Sequence, residues 1–157
     1  MKKLISTCLF LTLSSITLAQ SAENLFQQAV QMQQKGDTAN AMKLFENTCD
    51  QGHMKSCHNV GVLYGKNTAK AQAFYEKACN GNIGESCYTL AYIHFREAIG
   101  ETLFGVNEDE DIDEKELEKR KKASEKAAEE HSKKMEEYII KSCHLGYQPA
   151  CDMIDKK

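Results

Sequence analysis

The stretch AFYEKACNGNIGESC, residues 73–87, decides the fold. Phe74, Tyr75 and Ala78 fall at helical spacing and lead to Cys79, Gly81 and Asn82 then tolerate left-handed backbone, and Cys87 opens the next helical segment. A helix, a tight turn and a second helix are written there, with a thiol on each side of the turn. The same design occurs twice more, because Cys49 with Cys57 and Cys143 with Cys151 repeat the gap of seven residues that separates Cys79 from Cys87. The second pair follows the first by 30 residues and the third follows the second by 64. A repeated unit is stapled once per copy.

More than cysteines align. Asp37-Thr38-Ala39 falls on Asn67-Thr68-Ala69, and Ala41, Leu44, Phe45 and Thr48 fall on Ala71, Phe74, Tyr75 and Ala78. The third copy has Met135, Tyr138, Ile139 and Ser142 at those places. Asp37 and Asn67 are N-caps, and each copy predicts one amphipathic helix ending at the first cysteine. Gly52, Gly81 with Asn82, and Gly146 make the turns. The second helix of each unit has inward positions Val60 and Leu63, then Leu90 and Ile93, with Ile154 as the remnant in the last copy. A first helix over residues 23–35, with Leu25, Phe26, Ala29 and Val30 inward, caps the array. The expected fold is all-α, an α-solenoid of about three helix-turn-helix repeats of the tetratricopeptide kind with a disulfide clamp at each repeat junction. Closing a loop of about nine residues contributes roughly 2.5 kcal/mol per clamp in the chain-entropy model, so three are comparable to the net stability of a small domain.

Lys2 and Lys3, the apolar run Leu9 to Leu13 and the exit through Thr17 and Ala19 read as a secretory signal peptide over residues 1–19, cleaved near Ala19. The run is too short for a membrane span, and Cys8 lies inside it, where it cannot be a lipoprotein anchor. Residues 20–157 are then the exported repeat domain, periplasmic or secreted, where disulfides persist. Removing Cys8 from the seven cysteines leaves six, an even number. The net charge of −3 becomes −5 once Lys2 and Lys3 are lost, which argues against a nucleic-acid partner.

Ala73-Phe74-Tyr75-Glu76-Lys77-Ala78-Cys79, Gly61-x-Leu63-Tyr64-Gly65 and the recurring C-x7-C resemble the Sel-one-like repeat family, and within it the Hcp-type cysteine-rich secreted proteins. The repeats here are shorter than that family's and lack its glycine-rich inter-helix loop. The resemblance implies an adaptor or scaffold, with immunity proteins against toxic effectors among exported versions, and as the alternative a weak penicillin-binding or β-lactam-hydrolysing protein. The residues do not support the alternative. Ser56, Ser86, Ser124, Ser132 and Ser142 each lack a lysine three places on, and neither Lys-Thr-Gly nor Ser-Asp-Asn occurs. His53, His58, His94, His131 and His144 form no H-x-H or H-E-x-x-H pattern, so no metal site is read here, and no cofactor is implied. No C-x-x-C motif supports a thiol oxidoreductase.

Between Cys87 and Cys143 the chain carries 34 residues beyond one repeat, a charged helical insertion at about 100–134. Asp109, Asp111 and Asp113 resemble the start of a calcium loop, but Glu114 and Arg120 stand where its glycine and glutamate belong. Opposite charges at i, i+4 (Glu116 with Arg120, Glu118 with Lys122, Lys126 with Glu130, Glu129 with Lys133, Glu130 with Lys134) instead describe a solvated helix that joins the core from about Met135. His131 and His144 are read as solvent-facing.

A protein or cell-envelope component is the expected partner. Candidate contact residues are Asn59, Tyr64, Tyr88, Tyr92, His94 and Phe95 on the repeat surface and Asp109, Asp111 and Asp113 on the insertion. Tyr88, Tyr92 and Phe95 form a stripe at i, i+4, i+7 that also suits inter-repeat core, and the core reading is preferred. Thiol labelling of the mature protein is expected to find no free thiol before reduction and six after it; any other count breaks the pairing.

Overall fold

Each of four helix ends closes with the same pair of backbone hydrogen bonds. The amides of Asp37, His53, Ile83 and Tyr147 reach back five residues to the carbonyls of Met32, Thr48, Ala78 and Ser142, at 2.9 to 3.1 Å. The residues just before them, Gly36, Gly52, Asn82 and Gly146, donate to carbonyls three residues back and carry positive φ. This is the Schellman arrangement, which satisfies carbonyls that a helix end leaves open. In the turn between Cys79 and Cys87 the left-handed residue is Asn82, not Gly81.

The computed structural model describes residues 21–65, 69–104 and 113–155. The proposed signal peptide, Asn67, Asp109 and Asp111 lie outside the described residues. Among the described residues there are seven helices and no strand. They are α1 (residues 21–34), α2 (Thr38–Asp50), α3 (Met54–Tyr64), α4 (Ala69–Asn80), α5 (Gly84–Phe104), α6 (Glu114–His144) and α7 (Gln148–Ile154). Asp37 caps α2 by accepting the amide of Asn40, and Asp113 caps α6 by accepting the amide of Glu116 at 2.8 Å. No described helix is long and apolar enough to cross a membrane.

Burial repeats with the sequence. Ala41, Phe45, Thr48 and Cys49 are the buried positions of α2, and Ala71, Tyr75, Ala78 and Cys79 are those of α4, the same i, i+4, i+7, i+8 set 30 residues on. In α6 the set returns with Ile139 and Ser142 buried and Met135 and Cys143 half-buried. The sulfur atoms of Cys49 and Cys57, Cys79 and Cys87, and Cys143 and Cys151 stand at 2.13, 2.10 and 2.08 Å. Each pair joins the end of one helix to the start of the next.

Consecutive helices from α2 to α7 pack on one another. One apolar cluster joins Ala29, Ala41, Phe45 and Val60, and another joins Ala71, Tyr75, Leu90 and Ile93. Polar links recur at the same step: Lys77 Nζ reaches Asp50 Oδ1 at 3.3 Å, and Lys141 Nζ, at the matching place of α6, reaches Asn80 Oδ1 at 3.0 Å. Ile154, expected inward, is 40 % exposed because α7 ends there after seven residues and places nothing over it.

The insertion lengthens two helices rather than one. α5 has 21 residues where its counterpart α3 has 11, and α6 has 31, a length of about 46 Å. Ser142 Oγ donates to the Gly84 carbonyl, whereas His94 further along α5 meets His131 earlier in α6, so the two helices run antiparallel. α6 therefore reaches the packed interior by His131, a turn before Met135. Four of the expected charge pairs are present, from Glu116 with Arg120 to Glu130 with Lys134, at 2.7 to 3.5 Å.

α3 and α4 approach closely at Gly61 of α3, where an added Cβ would stand 2.8 Å from the buried ring of Tyr75. The ring is fully buried and cannot swing away. Gly61→Ala is expected to destabilise the fold by about 1–3 kcal/mol through overpacking, read as a lower denaturation midpoint with an unchanged denaturant slope; an unchanged midpoint would show that α3 and α4 move apart freely.

Candidate functional site

Two features stand out on the α5–α6 pair, one on each side. The first is an apolar groove of about 240 Å³ lined by Tyr88, Ala91, Tyr92, Phe95, Met135, Ile139 and Met153. Ala91 and Ile139 are buried in its floor, while Tyr92, Phe95 and Met153 are 48 %, 46 % and 45 % exposed on its rim. Its origin lies in the helix lengths. α3 stops at Tyr64, so Gly65 occupies the place that Phe95 takes in the continuing α5, and α7 is too short to cover the face that α5 and α6 extend. Tyr88 is held in place by the ring of Tyr147, with centroids 5.3 Å apart. A concave apolar surface with aromatic rims suits an apolar side chain from a partner.

The second feature is polar. His94 Nδ1 and His131 Nδ1 are 3.1 Å apart, and Glu97 Oε2 stands 2.9 Å from the first and 3.0 Å from the second. Gln72 Nε2 donates to the other Glu97 oxygen at 3.0 Å, and the His94 ring stacks on Tyr138 with centroids 5.7 Å apart. Burial pushes the His94 imidazole below its ordinary range, and the nearby charges of His131 and Lys134 act in the same sense, against the opposing pull of Glu97. A cavity of about 260 Å³ lined by Gln72, Ile93, Arg96 and Glu97 opens beside the cluster.

Two further chains of side chains have the order of a hydrolase triad. His53 Nδ1 meets Ser56 Oγ at 2.8 Å and its Nε2 meets Glu23 at 3.0 Å, while His58 Nδ1 meets Ser86 Oγ at 2.8 Å with Glu85 at 3.7 Å from its Nε2. Neither serine can attack a carbonyl, because both are fully buried next to a disulfide, and Ser56 is also bonded to Thr48 at 2.6 Å. These chains are structural: Glu23 is tied to the α2–α3 turn and His58 to the α4–α5 turn. Hydrogen bonds from Gln27 and from His53 hold the Glu23 carboxyl below its ordinary range.

The structure sorts the predicted contact residues. Tyr88, Tyr92 and Phe95 meet in the groove, and the preferred reading of this stripe as inter-repeat core is corrected, since two of its three members are half exposed. His94 faces the other way. His131, read as solvent-facing, is half-buried against His94 and Glu97; His144 is exposed as expected. Tyr64 donates to Glu46 at 3.0 Å and stacks on Phe74, which places it in the α2–α4 packing away from the groove, and Asn59 is half-buried on α3. Asp113 caps α6. The sequence carries no local signal that joins Met135, Ile139 and Met153 in a groove or Glu97 to His131; its one local trace is the spacing of His94 and Glu97, three apart on one helix.

The displaced His94 makes stability depend on pH. Its folded value lies below the 6.5 of a free histidine, so between 6.5 and that lower value the unfolded chain binds a proton that the folded chain refuses. Stability therefore falls as pH drops through this window and is level below it. His94→Gln is expected to flatten the decline in thermal midpoint between about pH 7 and 5; a variant that loses stability as steeply as the wild type would place the titration elsewhere.

Compared with known proteins, the chain matches no family model and no curated protein.

Proposed function

We propose that this chain is an exported α-solenoid scaffold, built from three disulfide-clamped repeats, that binds a protein partner through the groove between α5, α6 and α7. The observation that carries this reading is the exposed aromatic rim of Tyr92 and Phe95 beside Met153, over a floor of buried apolar side chains. Three cysteine pairs at bonding distance fit an oxidising compartment. The Cys143–Cys151 pair also fixes α7 against α6 at one wall of the groove, which lowers the ordering cost of binding.

The groove favours an amphipathic helix as the bound element. Tyr88, Tyr92, Phe95 and Ile99 lie at successive turns of α5, with Ile99 also exposed, and the stripe they mark is about 16 Å long. A partner helix presenting apolar anchors at i, i+3 or i+4 and i+7 matches that length. An adaptor or an immunity protein, the roles that the resemblance to Sel-one-like repeats implies, would act through such a contact. The β-lactam alternative gains no support from the fully buried Ser56, Ser86 and Ser142.

Tyr92→Asp with Phe95→Asp tests the reading. Both side chains are half exposed, so the double variant is expected to keep its helical circular dichroism. A partner recovered from an envelope extract by the wild type is expected to lose at least about 30-fold in affinity for the variant, the scale of an interface anchor. Equal affinity for both proteins, or light scattering showing that the groove only joins two copies of the chain, would overturn it.

A further inference from the structure

We propose that His94, Glu97 and His131 form a binding site for a divalent transition-metal ion of the zinc class, which ties α5 to α6. The three ligand atoms, His94 Nδ1, His131 Nδ1 and Glu97 Oε2, lie at the corners of a nearly equilateral triangle with edges of 2.9, 3.0 and 3.1 Å. An ion at the usual zinc distances of about 2.0–2.1 Å from each would stand about 1.1 Å out of that plane. Ligands of a tetrahedral zinc are about 3.3 Å apart, so the atoms need to spread by only a few tenths of an ångström.

The contact chemistry is difficult to satisfy otherwise. An imidazole nitrogen that turns its lone pair inward meets the carboxylate oxygen as one acceptor facing another, and two inward N–H groups would lie side by side at 3.1 Å. A cation accepts from all three atoms at once. Two imidazoles and a carboxylate are a borderline-soft donor set, which suits zinc, copper or nickel and not calcium or magnesium.

The surroundings are those of a supported site. Gln72 holds the outer Glu97 oxygen, and Tyr138 fixes the plane of His94 by stacking, so two of the ligands are oriented from outside the triangle. Glu97 and His131 are half-buried and the cavity beside Gln72 and Arg96 leaves a fourth position accessible to water or to an incoming ligand. The location has a structural logic as well. Disulfides close α2 to α3, α4 to α5 and α6 to α7, but among the described residues none joins α5 to α6, whose connection spans the insertion. The ion would cross-link residues 37 apart at that pair.

The test is zinc titration of the untagged, oxidised, chelator-dialysed full chain against a chromophoric competitor. One equivalent is expected to bind and to raise the thermal midpoint in proportion to the logarithm of free zinc. Cobalt is expected to give the intense visible absorption of a tetrahedral site. Gln72→Ala, which removes no ligand but releases the outer Glu97 oxygen, is expected to weaken affinity about 10-fold. His131→Ala is expected to weaken it more than 100-fold, whereas His144→Ala, an exposed histidine away from the cluster, leaves it unchanged. No binding by the wild type, equal binding by His131→Ala, or an equal loss in His144→Ala would each overturn the proposal. Because the groove residues are not involved, failure here leaves the partner reading standing, and the reverse.

Discussion

The covalent link between the last turn of one helix and the first turn of the next is the constraint on which the other contacts depend. It acts together with the Schellman turn, which sets the direction in which the chain leaves each helix. With Cα atoms 4.7 to 4.9 Å apart, the paired cysteines hold two helix ends closer than ordinary side-chain packing would. Around that pivot small residues collect, Thr48 with Ser56 in the first copy and Ala78 with Ser86 in the second, all fully buried. Bulk is placed one turn away, in Phe45 and Tyr75. From each such vertex the helices diverge, and the matching place is filled by Phe45 on α2, Tyr75 on α4 and Ile139 on α6.

The residue directly after the second cysteine carries the next level of order. His58 reaches forward to Ser86, and Tyr88, 30 positions on, reaches forward to Tyr147. Both contacts run forward from the start of a helix that follows a disulfide turn, one to the first turn of α5 and the other to the N-cap of α7. One is a hydrogen bond and the other an aromatic contact, so the position is preserved in geometry while its chemistry changes. Tyr88 is thus engaged by Tyr147, whereas Tyr92 and Phe95 further along α5 are half exposed.

The helices, their inward faces and the cysteine partners were legible because they are local, repeated three times, and written in the period of the helix. Ala41, Phe45 and Val60 come directly from that pattern, and Ala71, Tyr75 and Leu90 repeat it. What was not legible depends on where helices stop. Whether Tyr92 and Phe95 are covered turns on the length of α7, and the burial of His131 turns on the insertion being shared between α5 and α6 rather than given to one of them. Charge spacing within α6 describes its own face correctly and says nothing of a neighbour 37 residues away. The same distance hides the meeting of His94 with His131, since no short motif contains both.

The antiparallel α5–α6 pair also bears on the order in which the chain assembles. Gly84 and Ser142 at its base are separated by 58 residues, whereas His94 and His131 further along are separated by 37. Closing the shorter loop costs about 0.4 kcal/mol less in chain entropy, and the cost continues to fall toward the distal end. Pairing is thus cheapest at the charged end and most demanding at the disulfide-bearing end. Loop entropy by itself thus favours pairing from the distal end inward, toward the Cys143–Cys151 turn.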